Sequence, residues 1–134
     1  MSALTSIEGI GPQRAAVLKK QGVGSVEKLL DAGRTRVSRI RLASATGIDE
    51  DRILRFVNHA DLMRVKGIGG EYAELLEAAG VDSVVELAQR NAARLHERLV
   101  EVNDERSLVR ALPAASRVRQ WIKQAKQLAR VVQH

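Results

Sequence analysis

The feature that most constrains this chain is an internal repeat that carries the same glycine-rich pattern twice. Residues 7–31 read IEGIGPQRAAVLKKQGVGSVEKLLD, and residues 65–89 read VKGIGGEYAELLEAAGVDSVVELAQ. The two stretches align without gaps at an offset of 58, and 10 of the 25 positions are identical. Because self-similarity at a fixed period marks a repeated structural unit, the chain is predicted to contain two copies of one folding unit.

The repeat continues more loosely after this stretch. Residues 53–60 resemble residues 118–125 at an offset of 65, so the second copy carries extra residues between 90 and 117. No stretch rich in Gly, Pro or Ser separates the copies, as a flexible linker would. The predicted boundaries are therefore 1–63 for the first unit and 64–134 for the second, with both units packed as one pseudo-duplicated domain.

Composition and local signals favour an all-α fold with about five short helices in each unit. Aromatic residues make up only 2% of the chain, whereas strand-rich domains favour aromatic and β-branched residues. Pro12 occupies a position suited to the first residue of a helix, and Gly22 is placed to end that helix. Ser25 is predicted to begin the next helix, and Ser83 with Glu86 forms the pattern of a capping box.

Two longer helices are predicted from apolar periodicity. Asp49 is suited to cap a helix from about 50 to 63, and segments 34–45 and 91–112 are also expected to be helical. The last helix has the clearest i, i+3, i+4, i+7 pattern. Because residues 53–60 align with residues 118–125, Phe56 and Trp121 are predicted to occupy equivalent core positions. The predicted apolar face of the last helix consists of Val118, Trp121, Ile122, Ala125, Leu128, Ala129 and Val132.

Several classes of protein are disfavoured by the same sequence. The chain has no cysteine, and it has no apolar run near the roughly 18 residues that a membrane span needs. Its start lacks the pattern of a signal peptide, which favours a cytoplasmic location. The three histidines are scattered, and the acidic trio at 49–51 is better explained by helix capping. We therefore expect no enzyme activity, metal, cofactor, membrane partner or small-molecule substrate.

The two Gly-Ile-Gly turns carry the chemistry of interest. Two glycines permit a tight turn with positive φ, and Ala15 allows the flanking helices to approach closely. Such a turn leaves backbone N–H groups clustered at the start of the following helix, where the helix dipole favours an anion such as phosphate. The same glycines would also be needed for a turn that binds nothing.

The pattern closely resembles the helix-hairpin-helix motif of DNA repair, recombination and replication proteins. Both copies match it, at Ile7–Gly11 with Ala15 and Leu18, and at Val65–Gly69 with Ala73 and Leu76. The stretches TGIDEDRILRFVNHADLMRVKGIGGEYAELLEAAGV and VDSVVELAQRN resemble, more narrowly, a bacterial family of duplicated helix-hairpin-helix proteins known only as a domain of unknown function. The resemblance implies two SAM-like arrangements of hairpins, in which the hairpin amides of DNA-binding relatives hold one phosphate and nearby Lys or Arg side chains hold the next.

Charge distinguishes the two copies. The helix after the first turn carries three basic residues, whereas the helix after the second carries three glutamates, so we expect the first turn to bind phosphate and the second to be structural. Lys66 is the one feature against this assignment. The predicted contacts at the first turn are the backbone N–H groups of Gly9, Ile10, Gly11 and Gln13 and the side chains of Arg14, Lys19 and Lys20. Two flanking groups of basic side chains are predicted to extend the contact surface. The first consists of Arg34, Arg36, Arg39 and Arg41, and the second, the C-terminal basic group, of Arg117, Arg119, Lys123, Lys126 and Arg130.

The basic groups favour a polyanionic partner. Residues 11–41 hold eight Lys or Arg against two acidic residues, residues 65–105 hold four against nine, and residues 106–134 hold seven against none. Together with a net charge of +6, this predicts non-sequence-specific DNA binding by a non-catalytic accessory protein, which would then be nucleoid-associated. The turn would also fit an RNA backbone. The alternative is a protein-interaction module, binding a partner or a second copy of the chain.

Overall fold

A computed structural model describes residues 2–134, and Met1, the first residue of the predicted first unit, lies outside this range. Regular structure in the described range consists of eight α-helices and a short 3₁₀ turn at Leu4–Ser6, with no strand. The prediction of an all-α protein is therefore confirmed. The helices are α1 Pro12–Lys20, α2 Val26–Ala32, α3 Arg36–Thr46, α4 Glu50–Leu62, α5 Gly70–Ala78, α6 Val84–Ala88, α7 Ala92–Arg106 and α8 Ala115–Ala125.

The helices form two compact units, which differ slightly from the predicted division. The first unit runs to Asp61 and also includes Val131–His134, and the second comprises Leu62–Arg130. The sequence analysis assigned the whole C-terminus to the second unit. The last four residues instead belong to the first.

Local signals set most helix boundaries as predicted. α1 begins at Pro12, and Gly22 follows its end with φ +79°. The hydroxyls of Ser25 and Ser83 each accept a hydrogen bond from a backbone N–H in the first turn of the next helix, at 3.2 Å and 3.1 Å. The carboxylate of Asp49 accepts one from the N–H of Arg52 at 3.0 Å. Each of these caps satisfies an N–H group that the helix itself leaves without an acceptor.

The capping box predicted at Ser83 and Glu86 forms only in part. The carboxylate of Glu86 accepts hydrogen bonds from the guanidinium of Arg90, the shorter at 2.9 Å, instead of returning to the N-cap. A complete capping box occurs at Thr35 and Ser38, where the sequence analysis did not predict one. A serine at the third helical position can replace the usual glutamate, because its hydroxyl also reaches the N-cap N–H, here at 3.2 Å.

Two helices end earlier than predicted. α7 stops at Arg106 because Ser107 adopts a left-handed conformation, with φ +50°, and the side chain of Asn103 bonds both the N–H and the carbonyl of Val109. α8 stops at Ala125, so the prediction of a helix through Val132 was wrong. Val132 is 2% exposed and lies in the first unit, outside this helix.

Each unit has its own core. In the first, the largest fully buried side chains include Ile7, Leu18, Leu29, Ile53 and Phe56. In the second, one contiguous apolar cluster runs from Leu62 to Ala125 and contains Trp121. The prediction that Phe56 and Trp121 are core residues is confirmed, since each is only 1% exposed.

Candidate nucleic-acid interface

The first Gly-Ile-Gly turn presents an open surface at the start of α1. Gly11 is the N-cap of this helix, and a Cβ atom added to it would meet no atom within 4 Å. Gly11, Pro12, Gln13 and Arg14 line a surface depression at this point. The first N–H groups of a helix have no acceptor within it. The N–H groups of Gly11 and Gln13 are therefore placed where an anion could accept hydrogen bonds from them.

Gly9 and Ile10 have structural roles within this turn. Gly9 has φ +94°, and an added Cβ would approach Cε1 of Phe56 to 2.9 Å, so the turn packs directly on the core ring. Ile10 is 3% exposed, and its backbone N–H donates to the carbonyl of Ile7 at 3.1 Å. The prediction that the N–H of Ile10 contacts phosphate is therefore not supported, because this donor is already used in the turn.

Arg14 is fixed against the same turn. Its Nη1 donates to the carbonyl of Gly9 at 2.9 Å, and the side chain is half-buried. A guanidinium has five N–H donors, so this bond leaves others for an anion. Arg14 lines the depression at Gly11 and also a neighbouring one.

The neighbouring depression adds a residue that sequence reasoning missed. It extends from Gln13 and Arg14 to the loop between α3 and α4 and to Arg52. The side chain of Arg52 is 57% exposed and is 4.0 Å from the carboxylate of Asp49. The sequence offers no signal for its proximity to Arg14, because only the packing of the first unit brings the two arginines to one depression.

Lys19 and Lys20 lie at the other end of α1. Both are exposed in its last turn, where cations interact favourably with the helix dipole. At about 1.5 Å per residue, the Cα atoms of Lys19 and Lys20 lie about 12–14 Å along the helix axis from that of Gly11. The two side chains can therefore contact a different phosphate from the one at the turn.

Arg39 is a correction to the predicted contact set, because it is 2% exposed. Its Nη1 donates to the carbonyl of Gly33 and its Nη2 to the carbonyl of Gln133, both at 2.8 Å. Desolvation by burial lowers the pKa of Arg39, while the charge of Glu50 raises it and that of Arg36 lowers it further. A guanidinium buried to this extent has no access to a nucleic acid.

The other arginines of this group lie on the surface. Arg34 pairs with Asp31 at 3.3 Å, and Arg36 lies 3.6 Å from Glu50. All four side chains of these pairs are well exposed, and such pairs contribute little to stability. Arg41 is also exposed. These three positions remain accessible to a polyanion.

The C-terminal basic group does not form one helical stripe. Arg117, Arg119 and Lys123 lie on α8, Lys126 is its C-cap, and Arg130 lies beyond its end. The helix predicted through this group therefore ends before Arg130. All five side chains are nevertheless exposed, because α8 buries only its opposite face at Val118, Trp121, Ile122 and Ala125.

The second Gly-Ile-Gly turn has a closely similar backbone but different neighbours. Gly67 has φ +96°, and Gly69 is the N-cap of α5 with open space at its Cβ position. Glu71 occupies the first turn of α5. Tyr72, which aligns with Arg14, packs on Trp121 with ring centroids 5.3 Å apart and donates its hydroxyl to the carbonyl of Ala111 at 2.9 Å. The tyrosine thus has a packing role.

Other ionisable side chains of the first unit lie on or beside α4. Asp49 caps α4, and its neighbour Glu50 lies near Arg36. His59 and Asp61 are both buried in the first unit. In residues 2–134 no group of three or more His, Asp or Glu side chains could hold a metal ion. Within the same range, no helix combines the length and apolar character needed to cross a membrane.

These features define an all-α protein with a Gly-Ile-Gly turn before a helix in each of two compact units. The chain matches the family model described as a domain of unknown function, DUF4332, over residues 8–128, and it belongs to this family. This match confirms the predicted resemblance to a family known only as a domain of unknown function. Neither a search of curated proteins nor a search of solved structures returned a match.

Proposed function

We propose that this protein is a non-catalytic accessory protein that binds DNA without sequence specificity, through the phosphate backbone. The observation that carries the proposal is the open N-terminus of α1, where Gly11 presents no side chain and Arg14 is fixed beside the exposed N–H groups. Backbone N–H groups and a helix dipole hold a phosphate but do not read bases. Binding of this kind depends strongly on salt.

The charge around α1 supports the same proposal. α1 has no acidic residue in its first turn and ends in Lys19 and Lys20. Arg41 adds exposed positive charge to the first unit, and Arg34, Arg36 and Arg52 are also exposed although each faces a carboxylate. A DNA duplex is the proposed partner, and a single phosphate site would accept an RNA backbone as well.

The proposal includes the architecture that relates the two units. Each Gly-Ile-Gly turn is treated as a helix-hairpin-helix motif within one of two tandem SAM-like units that arose by duplication. Support comes from the near-identical φ values of Gly9 and Gly67 and from the matching ring contacts of Phe56 and Trp121 beneath them. A protein of this kind would act in the cytoplasm on nucleoid DNA.

The test is the binding of a labelled random duplex at 50 mM and 200 mM salt, with Gly11→Asp as the main variant. An aspartate is a favourable N-cap residue, and its Cβ would meet nothing at this position, so the variant should fold. Its carboxylate would occupy and repel the phosphate site. We expect the variant to weaken binding by about tenfold, the loss typical of one charge-assisted hydrogen bond.

Gly69→Asp is the matched control, because Gly69 has the same N-cap role and the same open space on α5. Loss of binding in Gly11→Asp alone supports the first turn as the contact. Binding unaffected by Gly11→Asp and Lys20→Glu would move the interface to the C-terminal basic group. Absence of binding by the wild type at 50 mM salt would overturn the DNA proposal.

One observation favours the second candidate, a protein-interaction module. Val37 and Ile40 on α3 are 59% and 45% exposed, although Arg39 between them is buried. Exposed apolar side chains on one helix face are typical of a protein contact. If the protein is an interaction module, the double variant Val37→Ser/Ile40→Ser would abolish self-association or partner binding and leave duplex binding unchanged.

A further inference from the structure

Trp121 presents a buried polar group that the packing of the second unit does not satisfy. The residue is 1% exposed, and its indole Nε1 has no hydrogen-bond partner. A buried donor without an acceptor costs about 1–3 kcal/mol. Such a group in a folded protein therefore calls for an explanation, and one explanation is a ligand.

The position of this donor is specific. Nε1 lies beneath the second Gly-Ile-Gly turn, 3.1 Å from where a Cβ of Gly67 would be. In the first unit the corresponding place beneath Gly9 is occupied by the ring of Phe56, which has only C–H groups there. A phenyl ring thus supports a turn of the same backbone form, and the indole N–H is not required for the packing.

The surface above Trp121 is lined by basic and amide side chains. Trp121 shares a surface depression with Lys66, Gly67, Arg117, Gln120 and Gln124, none of which is acidic. The side chain of Gln124 accepts a hydrogen bond from the N–H of Lys66 at 3.0 Å, which fixes the backbone of Lys66 beside the turn. The ring of Tyr72 packs against the indole of Trp121, with the ring centroids 5.3 Å apart.

We propose that this depression is a second oxyanion site, which takes a phosphate group through the indole N–H of Trp121 and the charges of Lys66 and Arg117. The inference goes beyond the function proposed above, which places the turn contact on the first unit. Because Nε1 is covered, binding requires a small displacement of the Gly67 turn. The phosphate group belongs either to a nucleic-acid backbone or to a free phosphate.

The experiment uses the fact that Trp121 is the single tryptophan, so ¹⁵N-labelled protein gives one indole N–H cross-peak. The protein is titrated with inorganic phosphate and, separately, with a short DNA duplex, with chloride at equal ionic strength as reference. We expect a saturable downfield movement of the indole proton, because the N–H gains an anionic acceptor. A shift with phosphate alone assigns a free phosphate, and a shift with the duplex assigns a phosphodiester.

Variants separate this site from its surroundings. Arg117→Gln and Lys66→Gln should each weaken the titrated affinity by about tenfold. Arg94→Gln, an exposed α7 arginine outside the depression and outside the predicted contacts, should leave it unchanged. Trp121→Phe copies the ring of the first unit without its donor, and the amide cross-peak of Gly67 should then report the same loss.

Gly11→Asp distinguishes this inference from the proposed function. If the indole response persists in that variant while duplex binding at the first turn is lost, the two sites are independent. No saturable shift with either probe would overturn the inference, whatever the first turn binds. An unchanged affinity in both Arg117→Gln and Lys66→Gln would overturn it as well.

Discussion

The guanidinium of Arg39 donates a 2.8 Å hydrogen bond to the carbonyl oxygen of Gln133, a residue 94 positions further along the chain. The backbone N–H of Gln133 in turn donates to the carbonyl of Arg34 at 2.8 Å, and the ring of His134 bonds the amide of Asn58 at 2.8 Å. A buried arginine and a short segment without regular secondary structure thus hold the end of the chain in the first unit.

Replacing Arg39 with methionine tests this structural role. Methionine keeps an unbranched apolar stem but leaves the carbonyls of Gly33 and Gln133 without their donor. We expect the free energy of unfolding to fall by about 2 kcal/mol, because the buried carbonyl of Gly33 loses its donor and a buried polar group without a partner costs about 1–3 kcal/mol. Urea unfolding followed by circular dichroism measures the change. The exposed Arg41→Met should stay within about 0.5 kcal/mol, and an equal loss in both variants would contradict the assignment.

Gly33 is predicted to tolerate no side chain. An added Cβ would approach Cγ2 of Val57 to 2.3 Å and the carbonyl of Leu29 to 3.3 Å, whereas its φ of −103° is ordinary. The penalty of Gly33→Ala is therefore steric, at about 1–3 kcal/mol. Gly24→Ala is the control, since its nearest neighbour is Cγ of Lys19 at 3.9 Å. Thermal unfolding of the two variants should separate them clearly, and similar melting temperatures would argue against this close packing.

Val132 should stabilise the first unit although it lies near the end of the chain. It is 2% exposed, and truncation to alanine removes two methyl groups and leaves one, at about 0.8 kcal/mol for each carbon lost from the core. We expect Val132→Ala to lower the free energy of unfolding by about 1–2 kcal/mol. The side chain of Gln133 is exposed, and Gln133→Ala retains the backbone hydrogen bonds. This variant should therefore leave the free energy of unfolding nearly unchanged. A neutral Val132→Ala would show that the Val132 side chain does not stabilise this core.

The basic end of α1 is predicted to contribute to salt dependence. Each lysine that neutralises one phosphate steepens the plot of log affinity against log salt by about one. Lys19→Gln and Lys20→Gln should each reduce the slope by about that amount while remaining folded, because both side chains are exposed. Lys28→Gln, an exposed lysine of α2 outside the proposed contacts, serves as the control. A slope that changes equally in all three would indicate a diffuse charge effect.

The candidate site was predictable in its local part. The open N-cap at Gly11 and the nearby Arg14 follow from turn and capping chemistry that acts over a few residues. The N–H of Ile10 was also predicted as a contact, but it donates to the carbonyl of Ile7 within the turn, which the local pattern did not indicate. Arg52 was missed because it reaches the depression beside Arg14 only through the packing of α4 in the first unit.

The sequence by itself determined the all-α class, the start of α1 at Pro12, the caps at Ser25 and Asp49, and the burial of Phe56 and Trp121. These follow from backbone conformation, capping and apolar periodicity, which depend on neighbours within a few positions. Tertiary structure alone decided that α8 stops at Ala125. It also decided that Arg39 is buried while Val37 and Ile40 of the same helix are exposed. Desolvation depends on which distant segment covers a side chain, and no local pattern specifies that segment.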